Sequence, residues 1–207
     1  METLKSAHFM AEKKYERFGV LPKLVFSSEE IERLKKNYLK LSRETHPDRN
    51  FSNKTDSESS EDLMSELNRD YETLIHAHGR VTHLIQEYKQ KFVKSGLTVD
   101  VKKSIPSFAV EGLEMLEVAP SDPTRTAFSR QLETEVLKLV TRLAVLAKTL
   151  DSMGFEDSSN FADLRSRFLE FVTLFEEFSY ARSLMDRLGL DTYPYEERFS
   201  IEFGGLS

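Results

Sequence analysis

The chain has 207 residues, 29 Lys and Arg against 35 Asp and Glu, a formal net charge of -6 and no cysteine. The acidic balance argues against bulk nucleic-acid binding, which leans on a basic surface. The missing thiols exclude disulfides, iron–sulfur ligation, thiolate zinc sites and cysteine nucleophiles, and no run approaches the roughly 20 apolar residues that span a bilayer.

Strand signals are scarce and 3.6-residue periodicity recurs almost everywhere, so the expected fold is all-α. Residues 1–14 read as an N-terminal extension. They lack the apolar stretch of a secretory signal, and Glu2 and Glu12 interrupt the likeness to a transit peptide, as Glu16 does just beyond. The first clear helix opens at FSSEEIERLKKNYLKLSRET. Ser27 or Ser28 is placed to accept from free amides, with Glu30 near the reciprocal capping position. Ile31, Leu34, Tyr38 and Leu41 share one face of it, and Arg33, Lys36, Lys40 and Arg43 repeat the spacing on the opposite face, giving an amphipathic helix with a basic outer stripe.

Pro47 ends this helix, because the residue before proline is pushed out of helical geometry. A polar loop, NFSNKTDSESS, follows, then a helix from about Ser59 to Ile75 with Leu63, Leu67, Tyr71 and Leu74 expected inward. Two antiparallel helices therefore flank a loop that begins His46-Pro47-Asp48. A shorter helix covers about His78 to Phe92, so that residues 15–93 form one domain. Residues 94–105, with Gly96 and β-branched residues and no helical period, read as a linker.

Residues 106–190 carry a three-helix pattern. SFAVEGLEMLEV is short; Phe128 to Leu150 and Phe161 to Leu188 show apolar residues at spacings of three and four. Gly154 suits a helix C-terminus and the stretch after it a new start, so the two long helices should pack antiparallel. Residues 191–207 read as an irregular tail.

His46 and Asp48 could in principle be metal ligands or an acid–base pair, but neither has company. His8, His76, His78 and His83 show no zinc-type spacing to His46, and no phosphate loop or nucleophile elbow is present. A charged helix face is ordinarily just solvated. Here the stripe runs into a proline-stiffened tripeptide between two helices, which costs little to order on binding. A cationic stripe beside it would attract an acidic partner.

At these residues the chain resembles a J-domain, whose helix II, His-Pro-Asp loop and helix III are similar to IERLKKNYLKLSRETHPDRN and LMSELNRDYETL. More specifically it resembles an HscB-type co-chaperone of iron–sulfur cluster biogenesis. YERFGV is similar to that family's opening, ETLIHAHGRVTHLI to its Thr-Leu-x-His-Pro-x-x-Arg-Ala-x-Tyr-Leu-Leu stretch, and SFAVEGLEMLEV to the segment that opens its C-terminal three-helix bundle. The chain departs from the pattern at Thr45, Asp70, Ala77, Val81 and His83, at the smaller pair Ala109–Val110, and at Gly112 inside a helix.

The resemblance implies a J-domain over 15–93, a linker and a scaffold-binding bundle over 106–190. It implies no enzymatic activity of the chain's own, no cofactor and no metal. His46, Pro47 and Asp48 would trigger ATP hydrolysis by a DnaK-type chaperone, docked through Arg33, Lys36, Lys40 and Arg43. Ala109, Val110, Leu113, Glu114 and Glu117, with Phe178 or Tyr180, would hold an IscU-type iron–sulfur scaffold. Neither nucleic acid nor membrane is implied as a partner. Family habit points to a mitochondrial matrix or related organelle, or to bacterial cytoplasm. A J-protein serving a different client through its bundle is the alternative.

Overall fold

The computed structural model describes residues 14–46, 54–99, 105–154 and 161–205, with only the backbone described for 54–60. Every element among them is helical: α1 (its described part, 14–17), α2 (Ser28–Thr45), α3 (Lys54–Ile75), α4 (Ala77–Lys94), α5 (Ala109–Met115), α6 (Pro123–Met153), α7 (Phe161–Arg187) and α8 (Tyr193–Phe203). No helix among the described residues is long and apolar enough to cross a membrane. The chain packs as two units. The first runs up to Gln90 and includes residues 203–205; the second covers Lys91–Glu202, so that α4 belongs mainly to the first.

In the first unit α2 starts where the capping residues placed it. Ser27 Oγ accepts from the Glu30 amide and Glu30 returns the bond to the Ser27 amide, a complete capping box. Burial pushes the Glu30 carboxyl up, but the Ser27 bonds and Lys23 Nζ at 3.1 Å outweigh it and hold the pKa below its ordinary value. Ile31 and Leu34 are buried, whereas Tyr38 and Leu41 are half-buried.

Tyr38 instead stacks on Tyr71 of α3, with ring centroids 3.9 Å apart and planes at 16°, and donates its hydroxyl to Asn68 Oδ1 at 3.0 Å. Further along α2, Thr45 Oγ1 reaches Met64 Sδ at 3.5 Å. Later residues of α2 thus meet earlier residues of α3, which makes the pair an antiparallel hairpin. Leu63, expected inward, is exposed; the inward face of α3 runs through Leu67 and Leu74, with Met64 half-buried. The polar loop expected after Asp48 is also shorter, because α3 already begins at Lys54.

Asp70 binds α1 to this hairpin. It is buried, with Lys14 Nζ at 3.0 Å from Oδ1 and Arg17 Nη1 at 3.1 Å from Oδ2, and Arg17 also reaches Glu66 at 3.1 Å. His83 of α4 lies next to the same cluster, its Nδ1 3.3 Å from the Tyr15 hydroxyl.

In the second unit α6 and α7 run antiparallel. Arg125, near the start of α6, donates to the Leu188 carbonyl at 3.0 Å, while Arg142 pairs with Glu170 at 3.9 Å. Phe128, Val136 and Leu143 of α6 and Phe168, Phe171 and Phe178 of α7 are buried in this unit. The expected irregular tail is largely a helix, α8. Asp191 Oδ1 accepts from the Tyr193 amide at 3.0 Å, and Pro194 stands in the first turn, where its missing N–H costs nothing. Tyr195, Phe199 and Phe203 then recur every four residues and are all buried, with the Phe199 ring stacked on Phe178 at 5.0 Å.

Candidate functional site

The α2 face opposite the core carries Arg33, Lys36, Lys40 and Arg43, all exposed. Arg33 makes one long bond to the Gly19 carbonyl at 3.4 Å. Lys36, Lys40 and Arg43 join no ion pair among the described residues; the neighbouring Lys35 reaches Glu32 at 3.8 Å. An open furrow of about 870 Å³ runs along this face between Lys36, Leu39, Lys40 and Arg43. Every residue that lines it comes from α2, so it is the relief of an exposed ridge and no enclosure for a small molecule.

Leu39, 54% exposed in the middle of these cations, escaped the sequence reading. A leucine that breaks the inward spacing of a helix and falls between lysines was the available signal. An exposed leucine framed by exposed cations suits a partner surface that is apolar at its centre and acidic at its rim.

The ridge leads to His46, which is the C-cap of α2 with extended backbone (φ -59°, ψ 128°) and an exposed side chain. Pro47 and Asp48 lie outside the described residues. Among the described residues no three His, Asp or Glu side chains stand close enough together to hold a metal ion.

The second candidate surface lies on α5. Ala109, Gly112 and Met115 are buried, while Val110 and Leu113 are 61% and 47% exposed and Glu114 and Glu117 are exposed beside them. The helix is therefore two-faced at a spacing of three, its small residues turned inward. A Cβ added at Gly112 would stand 2.3 Å from Leu184 Cδ2 and 3.2 Å from Phe128 Cζ. Gly112 is what lets α5 lie close against α6 and α7. Its lower helix propensity, about 1 kcal/mol relative to alanine, is offset by that contact.

Two expected members of this surface are corrected by their burial. Ala109 faces inward because α5 approaches its neighbours through its small residues, and Phe178 is in the core, stacked on Phe199. Tyr180 is half-buried with its ring 6.1 Å from that of Phe108. The outward face is thus Val110, Leu113, Glu114 and Glu117, apolar with an acidic edge.

No protein-family model, curated protein or solved structure matches the chain.

Proposed function

We propose that this chain is a J-domain co-chaperone of the HscB type, which stimulates ATP hydrolysis by a DnaK-type chaperone and delivers an IscU-type scaffold to it. The observation that carries the reading is the exposed ridge of α2, with Lys36, Lys40 and Arg43 in no ion pair among the described residues, ending at His46, the C-cap that precedes Pro47 and Asp48 in the sequence. The α2–α3 hairpin held by Tyr38, Asn68 and Tyr71 supports it. In this reading the ridge docks on the chaperone and the His46-Pro47-Asp48 tip favours its hydrolysis-competent arrangement. A ligand shifts such an equilibrium only by binding one state better than the other. The chain itself breaks no bond.

The outward face of α5 would hold the scaffold through Val110 and Leu113, with Glu114 and Glu117 setting orientation. The burial of Ala109 and Phe178 makes this face smaller than the family pattern, which favours a second reading in which the chain serves a different client through the same helices.

Single-turnover ATP hydrolysis by a DnaK-type chaperone tests the first reading. The protein accelerates it, Asp48→Asn abolishes the acceleration without loss of helical content, and Leu39→Gln weakens docking about fivefold, the equivalent of about 1 kcal/mol of apolar contact. No acceleration by the parent protein sinks the proposal. Added IscU-type scaffold raises the acceleration further and Leu113→Ala blunts that increment; no increment with the parent favours the different client.

A further inference from the structure

Arg80 is fully buried, and main-chain carbonyls receive its guanidinium. Nη1 donates to the Leu74 carbonyl, and Nη2 to those of Phe203 and Gly204, the latter at 3.0 Å. The guanidinium carbon lies 4.1 Å over the ring centroid of Phe26. Phe203 is itself fully buried, and its carbonyl also accepts from the Phe26 amide at 3.1 Å.

The next two residues fit because they have no side chains. Gly204 has φ +61°, and a Cβ there would stand 1.8 Å from the Phe26 carbonyl oxygen; one on Gly205 would stand 2.6 Å from the Ala77 amide nitrogen. Both obstacles are backbone, so neither can swing aside. A guanidinium removed from water is costly unless its donors are taken up. Two of the carbonyls that take up Arg80 belong to residues more than 120 positions later in the chain. What they secure is the foot of α2, since Phe26 directly precedes the capping residue Ser27.

We propose that Phe203–Gly205 is a strap that completes the first unit, and that α2 is seated firmly only when the strap is bound. The docking ridge would then be offered only by a chain in which residues 203–205 are already bound. The docking consequence rests on the function proposed above; the strap does not.

Hydrogen exchange on the full chain separates the two. Gly204→Ala is compared with Gly154→Ala, where φ is +65° and nothing among the described residues lies within 4 Å, so that an alanine there also meets positive φ but no described backbone obstacle. Gly204→Ala should speed exchange of the Phe26 amide and the first turn of α2 at least about tenfold over Gly154→Ala, while α6 and α7 keep parental rates. Arg80→Lys should act in the same direction, because an ammonium cannot span the Leu74 and strap carbonyls together. Unchanged exchange at the foot of α2 in both variants overturns the strap, as does equal loosening of α6 and α7. A loosened foot with undiminished stimulation of the chaperone overturns the link to docking. A parent protein that never stimulates refutes the function alone, and exchange still judges the strap.

Discussion

Lowering the pH should weaken the first unit through His83, and replacing that one residue should remove the effect. The imidazole is half-buried beside Tyr15. Burial first, and the Lys14 ammonium second, lower its pKa from 6.5 to about 4, with Asp70 pulling weakly the other way. The folded protein therefore keeps His83 neutral where the unfolded chain protonates it. Between 6.5 and about 4 the unfolded state binds more protons, so this contribution is complete above 6.5, is lost as pH falls through that window, and levels off below about 4. The full shift corresponds to about 3 kcal/mol. Since the ring still sees solvent, about half of that is realised, of which about 1 kcal/mol is lost by about pH 5. Urea denaturation at about pH 7.5 and about pH 5 measures it, with His83→Gln as the comparison because the amide can still bond to the Tyr15 hydroxyl. The carboxylates titrate in both proteins, so the difference between the two slopes isolates the imidazole. Parallel loss of stability in parent and variant would refute the reasoning.

Asp70→Asn keeps the shape of the buried side chain but withdraws the charge that faces Lys14 and Arg17. The expected cost is about 2 kcal/mol, below the usual cost of breaking a buried pair because both cations retain some water, and it should appear as a lower urea midpoint at unchanged slope. Gly112→Ala should destabilise the second unit by about 1 kcal/mol, an overpacking cost of about 2 against about 1 gained in helix propensity. A rise in melting temperature there, as expected for a glycine on an open helix face, would show that α5 does not need the close approach.

What was legible in the sequence follows from how local the signals are. The start of α2 could be read because Ser27 and Glu30 satisfy each other within one turn, and the ridge because four cations at helical spacing need no knowledge of the rest of the chain. The faces of α3 and α5 depend on neighbours. Leu63 looked like an inward residue, but the hairpin closes around Met64 and Leu67. Family likeness put Ala109 on a binding surface, whereas the approach that Gly112 permits turns it inward. α8 was missed because Pro194 and the tyrosines around it read as irregular, although Tyr195, Phe199 and Phe203 at a spacing of four carried the signal. The bond from Arg80 to the strap had no signal at all, since neither a lone arginine in α4 nor a Phe-Gly-Gly segment announces a partner so far along the chain.

The two tyrosines between α2 and α3 give this hairpin an uneven stiffness. At mid-length Tyr38 and Tyr71 lie ring on ring with Asn68 latched to the phenol, whereas towards His46 the described cross-contact is a threonine hydroxyl, already donated to the Leu41 carbonyl at 2.9 Å, against a thioether at 3.5 Å. Sulfur is a weak acceptor and methionine a pliable filler, so parting Thr45 from Met64 disturbs far less than parting the rings. Among the described contacts the hairpin is riveted at Tyr38 and Tyr71, and the contact between Thr45 and Met64 can slip while that rivet stays shut.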